Sequence, residues 1–340
     1  MAGKRGACLR GSPGYAHEPR SASGLRHPHG SPTLRALLQE RLRGLSIHAD
    51  AQQIVTTASA SHALDLVLRC LVKPGNTVFV ESPGYYNLFG LLHLHGVRVI
   101  GVPRLADGPD LDALQALLKT HRPTLFYINS VFQNPTGSTL SATVAHRLLQ
   151  LAQQHDFMLI EDDIYADLQS VPSTRLAALD GLERVLYIGS FSKTLSASLR
   201  VGFIAAPSAR VQPLVTTKML TSIVGAPFAE AVIATLIENG SYRRLTERLA
   251  TRLTRHMGSA LVALDDGGWS VFTPPTGGMF VWARPPIKSS EVLEERARDC
   301  GVALSPGLLF LPESDGTPWR RLNVAYMQHE SVLTFIRTFQ

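Results

Sequence analysis

In Ser190-Phe191-Ser192-Lys193-Thr194-Leu195 a lysine stands between hydroxyl residues, directly after the apolar run Val185-Leu186-Tyr187-Ile188. Arg200-Val201-Gly202 follows, with the arginine within reach of the same pocket. A lysine withdrawn from bulk water beside a fixed arginine has a depressed pKa, and a neutral amine can attack a carbonyl. The hydroxyls of Ser190 and Ser192 and the guanidinium of Arg200 can together hold a phosphate. This is the chemistry of an amine nucleophile beside a phosphate clamp. The plainer reading is a surface lysine and arginine in a serine-rich loop.

Other polar clusters fall where strands are expected to end. Thr57-Ala58-Ser59-Ala60-Ser61-His62 joins a strand to a helix N-terminus through small residues, and free N–H groups there suit a phosphate. Simple capping by Ser59 or Ser61 would explain it equally well. Tyr85, in Glu81-Ser82-Pro83-Gly84-Tyr85-Tyr86, can stack on a flat ring or pack on its own turn. Asn134, in Gln133-Asn134-Pro135-Thr136-Gly137, can donate to an oxygen or serve a tight turn alone. Glu161-Asp162-Asp163 puts three carboxylates at one strand end, which is unfavourable unless one meets a cation, although solvation or helix capping would also accommodate them. Asp162 against a protonated pyridine nitrogen would strengthen an electron sink, and Tyr165 could donate to a ring oxygen. In Arg320-Arg321-Leu322-Asn323 a guanidinium could pair with a substrate carboxylate or lie on the surface. An amine nucleophile beside a phosphate clamp is what pyridoxal 5'-phosphate (PLP) requires.

These residues need a scaffold. From about residue 46 the pattern alternates helix and strand. Helices are expected at 61–72, 86–95, 110–121 and 141–155, and strands at 77–80, 97–102, 124–128, 157–160, 185–188 and 201–205. Short strands that are apolar on both faces, separated by amphipathic helices, indicate an α/β architecture with a mainly parallel sheet covered on both sides. Ligands of such sheets bind at the C-terminal ends of the strands. After Pro207 the pattern changes to helices at 229–238, 242–264 and 291–300, with strands at 269–272, 279–283 and 322–325, a smaller α+β lobe.

The chain has 340 residues, 45% of them apolar and 18% charged, as in ordinary globular proteins. No apolar run approaches the length needed to span a bilayer, and no membrane partner is expected. The formal charge of +6 resides wholly in residues 1–43, where Lys4, Arg5, Arg10, Arg20, Arg26, Arg35, Arg41 and Arg43 face only Glu18 and Glu40. The remainder is balanced, so no nucleic-acid partner is expected. Cys8, Cys70 and Cys300 lack paired metal spacing, and Cys70 lies in an apolar helix pattern as a buried free thiol. A reducing cytoplasm is the default compartment, and the first 26 residues read as an unstructured basic leader without a secretory signal.

In this order the pieces resemble the fold-type-I PLP enzymes of the class I/II aminotransferase group, over roughly residues 30–335. The likeness is to the 2-aminoadipate/aromatic aminotransferase branch and to the aminotransferase-like domain of MocR-type regulators. The resemblance implies that Lys193 forms the internal aldimine and carries the proton between the substrate Cα and the cofactor. It implies that Asp162 pairs with the pyridinium nitrogen, that Asn134 and Tyr165 contact the phenolic oxygen, and that Tyr85 stacks on the ring. Ser59, Ala60 and Ser61 would lie at the phosphate with Ser190, Ser192 and Arg200, while Arg321, with Asn134, would bind the substrate. Gly277-Gly278-Met279-Phe280 matches the family's entry into the small lobe. The implied organisation is a divergent leader and arm at 1–45, a large PLP-binding domain at 46–235 and a small domain at 236–340. The implied activity is transfer of an α-amino group from an amino acid to a 2-oxo acid, in a homodimer.

Three departures stand out. Leu25 holds the place of a family tyrosine before Pro28-His29-Gly30. Ser59 and Ser61 stand where glycine and glutamine are common. The proline usual between the lysine and arginine is replaced around Ala197. They point to weaker cofactor binding or to an altered N-terminus. A regulatory PLP-binding module with little turnover, or a lyase on the same scaffold, are the alternatives. MocR-type regulators carry a winged helix upstream, for which residues 1–43 are too short.

Overall fold

A computed structural model of the chain describes residues 27–313 and 316–339. The leader, including Cys8 and Leu25, lies outside the described residues. Helix α1 (Pro32–Gly44) opens the fold and turns Leu34, Leu38 and Leu42 inward. Then come β1 (Ile54–Thr57), α2 (Ala60–Leu71), β2 (Thr77–Ser82), α3 (Tyr86–Leu94), β3 (Arg98–Leu105) and β4 (Gly108–Pro109). The alternation continues through α4 (Leu111–Thr120), β5 (Pro123–Asn129), α5 (Ala142–His155), β6 (Met158–Asp162), α6 (Leu176–Asp180), β7 (Val185–Ser190) and β8 (Gly202–Ala205).

These strands form one eight-stranded sheet in the order β1-β8-β7-β6-β5-β2-β3-β4. The pairs β2–β3, β2–β5, β5–β6 and β6–β7 are parallel, whereas β8 runs antiparallel to both β1 and β7. Central strands β5, β6 and β7 are buried almost throughout because helices cover both faces. One apolar core, with Leu38, Phe79, Phe126 and Tyr187, fills one side, and another, with Leu64, Val67, Tyr127 and Ile188, fills the other.

The remaining elements are α7 (Ser208–Ser222), α8 (Pro227–Glu238), α9 (Ser241–Asp266), β9 (Ser270–Val271), β10 (Phe280–Arg284), α10 (Ser290–Asp299), β11 (Arg320–Asn323) and α11 (Glu330–Arg337). Strands β9, β10 and β11 make a separate antiparallel sheet in the order β11-β10-β9. A third core, with Leu253, Met257, Trp269 and Phe335, lies beneath it. Helices α1, α7 and α11 were not expected from the sequence, and in α7 the interior Pro213 and the threonines mask a helical period. Cys70 is half-buried and bonded to Thr217 across α2 and α7, more open than its apolar surroundings suggested. Among the described residues no helix is long and apolar enough to cross a membrane.

Candidate active site

The C-terminal ends of β1, β5, β6 and β7 converge on one cleft. One end of it is built where β1 meets α2. Ser59 is the N-cap of α2, with φ 149° and ψ 173°, and its Oγ accepts from the backbone N–H of His62 at 3.2 Å. The N–H groups of Ala60 and Ser61, in the first turn, have no intrahelical acceptor. Arg200, itself at φ 49°, donates from Nη2 to Ser59 Oγ at 2.9 Å. Gly202 is required here, because a Cβ would stand 2.7 Å from the Ser59 carbonyl carbon and 2.9 Å from the Ala60 nitrogen. Ser190 Oγ accepts from the Ser192 N–H at 3.2 Å. Ser192 Oγ is buried without a partner among the described residues. An orphaned hydroxyl, free helix N–H groups and an arginine form a donor set that fits a phosphate dianion.

The three carboxylates at the end of β6 take three separate roles. Glu161 accepts from the N–H groups of Leu176 and Ala177 at 2.9 and 2.8 Å, and burial followed by the neighbouring Asp163 pushes it up to about 7. Asp163 pairs with Arg175 Nε at 2.6 Å and accepts from the Tyr187 hydroxyl at 2.9 Å. Asp162 faces the cleft. Its Oδ2 accepts from the Tyr127 hydroxyl at 2.6 Å and its Oδ1 from the Ile164 N–H at 3.2 Å. Burial raises Asp162 to about 6, and the hydrogen bonds and the Lys193 charge hold it from going higher. A carboxylate so fixed suits a protonated ring nitrogen.

Lys193 reaches the open part of the cleft, yet the walls around it withdraw enough water to lower its pKa. The charge of Arg321 adds to that, and Asp162 opposes it. The arginine that acts on Lys193 is therefore Arg321. Arg200, expected for this role, turns toward Ser59 instead. Tyr165 is buried edge-on to Phe280 with ring centres 6.1 Å apart, and burial and then Asp162 keep its phenol protonated. Tyr85 is half-buried in the turn after β2, and its hydroxyl accepts from Asn87 Nδ2 at 3.2 Å. Asn134 donates its N–H to Asn129 Oδ1 at 2.8 Å and accepts from Arg321 Nη1 at 3.0 Å. The Arg321 guanidinium lies over Phe280 and Phe310 at 4.3 and 4.8 Å, so its fork is aimed before any ligand arrives.

Sequence reasoning missed Tyr127 and Asn129. Both sit at the end of β5, registered against Ile160 and Asp162 of β6, and Asn129 Nδ2 also holds the Asp162 carbonyl at 2.7 Å. The available signal was a strand closing on Tyr-x-Asn beside one closing on Glu-Asp. Gly277 and Gly278 matter through Phe132, whose ring and Cβ would collide with any Cβ at either glycine at 2.8 and 2.7 Å.

A mainly parallel sheet with a lysine, a carboxylate and a phosphate cradle at its strand ends defines a fold-type-I PLP enzyme. The model of the aminotransferase class I and II family matches residues 6–339, and the chain belongs to that family. It is 35% identical over 295 residues to 2-aminoadipate transaminase of Thermus thermophilus, covering 84% of this chain and 74% of that protein. An uncharacterized HTH-type transcriptional regulator of Bacillus subtilis is 28% identical over 96% of this chain and 68% of its own length. The crystal structure of α-aminoadipate aminotransferase from Thermus thermophilus, complexed with N-(5'-phosphopyridoxyl)-L-leucine, superposes with a TM-score of 0.82 at 32% identity, covering 92% of this chain and 80% of that one. The protein is a PLP-dependent aminotransferase that moves the α-amino group of an amino acid to a 2-oxo acid.

Proposed function

We propose that Lys193 is the residue that links to the cofactor and then moves the proton at the substrate Cα, with Asp162, Tyr165 and Arg321 as its principal partners. When bound, PLP supplies an electron sink for the charge that develops at that carbon. Ala60 and Ser61 N–H groups, Ser190, Ser192 and Arg200 hold its phosphate. Asp162, anchored by Tyr127 and the Ile164 N–H, would keep the ring nitrogen protonated, and Tyr85 would stack on the ring. The phenol of Tyr165 and Nδ2 of Asn134 donate to the ring oxygen. Arg321 takes the α-carboxylate of the amino acid and orients its Cα–H toward Lys193 Nζ. The lowered pKa of Lys193 leaves more of its amine neutral and able to accept that proton.

What carries the reading is a single observation: Arg321, from the small sheet, reaches the strand ends of the large one and bonds Asn134 Oδ1 from Nη1 at 3.0 Å. We further propose a homodimer, because Met219, Leu220, Ile223 and Phe228 form an exposed apolar patch between α7 and α8. The free thiols Cys70 and Cys300 suit a reducing cytoplasm.

The test is the absorbance of purified protein after PLP addition, followed by a panel of amino acids with 2-oxoglutarate as acceptor. Wild type is expected to develop a lysine-bound band that each good donor converts to the amine form. Lys193→Ala is expected to show the spectrum of free PLP. Identical spectra for the two proteins would sink the assignment.

A further inference from the structure

The Lys193 segment has a reverse side that faces away from the cleft. Thr194, the next residue, is buried at 4% exposure, and its Oγ1 lies 2.8 Å from the hydroxyl of Tyr242 on α9. The Tyr242 hydroxyl donates to Asp167 Oδ2, two residues beyond Tyr165. A phenol has one proton, so Thr194 must be the donor to the Tyr242 oxygen. Asp167 Oδ1 is paired with Arg41 Nη2 of α1 at 2.5 Å. The Arg41 guanidinium lies 4.8 Å from the Tyr242 ring and 5.7 Å from that of Phe191, and those two rings meet edge-on at 5.3 Å. The order Thr194–Tyr242–Asp167–Arg41 therefore joins the Lys193 segment, the Tyr165 turn, α1 and α9.

Helix α9 continues far beyond this knot. It runs for 26 residues, about 39 Å at 1.5 Å per residue. Tyr242 at its start packs in the core of the eight-stranded sheet, while Leu253, Met257, Ala260 and Leu264 pack in the core under the three-stranded sheet. That second sheet carries Arg321 on β11. One continuous helix thus runs from the Thr194 side chain, next to Lys193, to the sheet that carries Arg321.

We propose that Tyr242 is a positioning residue: through Thr194 it fixes where Lys193 stands, and through α9 it couples that position to the sheet bearing Arg321. The proposal rests on the roles given above to Lys193 and Arg321. Its own chemistry is geometric. A proton-transfer group displaced by even an ångström loses roughly ten- to hundredfold in rate, and a short hydrogen bond at the adjacent residue is what prevents that displacement.

The experiment uses PLP-loaded protein carrying Tyr242→Phe, which keeps the ring over Arg41 and removes only the hydroxyl. Thr194→Val and Thr194→Ser serve as a second pair that loses and restores the hydroxyl. The readouts are the midpoint of the pH-dependent absorbance change of the lysine-bound cofactor, kcat and KM separately, and the melting temperature. Both Tyr242→Phe and Thr194→Val are expected to shift the midpoint by about half a pH unit or more and to lower kcat roughly tenfold, with KM for the amino acid nearly unchanged. Thr194→Ser is expected to return both to wild-type values. A wild-type midpoint and kcat in Tyr242→Phe and Thr194→Val overturns the proposal, and so does a fall in melting temperature with no shift of the midpoint. Failure of the underlying reading looks different: Lys193→Ala would then give the wild-type spectrum.

Discussion

Ser59→Gly tests the phosphate cradle most directly. At φ 149° and ψ 173° Ser59 occupies a region natural to glycine, and holding a serine there costs about 1–3 kcal/mol. Three effects oppose the relief of that strain. Exchanging a serine cap for glycine costs a few tenths of a kcal/mol. The lost bond from Arg200 to Ser59 Oγ at 2.9 Å is worth about 1 kcal/mol, and glycine's extra freedom in the unfolded chain takes a further ~0.4–1 kcal/mol. The two sides nearly cancel, so the melting temperature of the ligand-free protein should change little. Cofactor binding is not balanced in this way. With serine, Arg200 Nη2 is already spent on a neutral hydroxyl. With glycine it is free for a phosphate oxygen, and a guanidinium bonded to an anion holds about twice as strongly as one bonded to a neutral hydroxyl. The difference, about 1 kcal/mol, corresponds to roughly fivefold tighter PLP binding. Titrating ligand-free wild type and variant with PLP, by absorbance, measures it. Pyridoxal, which lacks the phosphate, is the control and should bind both proteins alike. An unchanged or weaker PLP affinity in the variant, or an equal gain for pyridoxal, refutes the reasoning.

Two other outcomes follow from named contacts. Arg321→Lys keeps the charge but loses the planar fork that bonds Asn134 and lies over Phe280. The amino-acid KM should rise roughly tenfold or more, with PLP affinity unchanged, and an unaltered KM in steady-state assays would remove Arg321 from the carboxylate site. Lys218, fully buried 3.4 Å from Thr56 Oγ1, has its pKa lowered from 10.5 to about 8, first by burial, with Glu230 opposing and Arg35 adding. Because the folded pKa lies below the unfolded one, the folded state binds fewer protons between those values. Stability should therefore climb as pH rises from 8 toward 10.5, by up to about 3 kcal/mol from this group. Denaturant unfolding across that range should show the climb in wild type and a flatter curve in Lys218→Met; parallel curves would rule it out.

The large sheet was legible because its strands are short, apolar and punctuated, and because chemistry-bearing residues stand just beyond each one. The places of Lys193, Asp162 and Asn134 beside strand ends could be read in this way, since strand ends are where a parallel sheet presents its ligands. Tyr127 and Asn129 could not. They look like the tail of an apolar strand, and their role depends on the register of β5 against β6. The partner of Lys193 was assigned to the nearer arginine in sequence, but the turn at Arg200 sends that side chain toward Ser59, and Arg321 arrives from another sheet. Helix α1 hid in an arginine-rich stretch whose charges disguise the spacing of Leu34, Leu38 and Leu42. The Thr194–Tyr242 bond joins residues 48 apart, a separation that no local pattern encodes.

Strand β1 joins its sheet only through β8, and the Arg200–Ser59 contact spans 141 residues of chain. Closing a loop of that length costs on the order of 4 kcal/mol before any contact compensates it. During synthesis the early phosphate-binding turn therefore waits for the chain to emerge past β8 before it has a partner. Until then Ser59 has no arginine beside it and Ala60 no glycine strand against it. The cradle is the last part of the sheet to come into being, and it is complete only once the chain through β8 has been made.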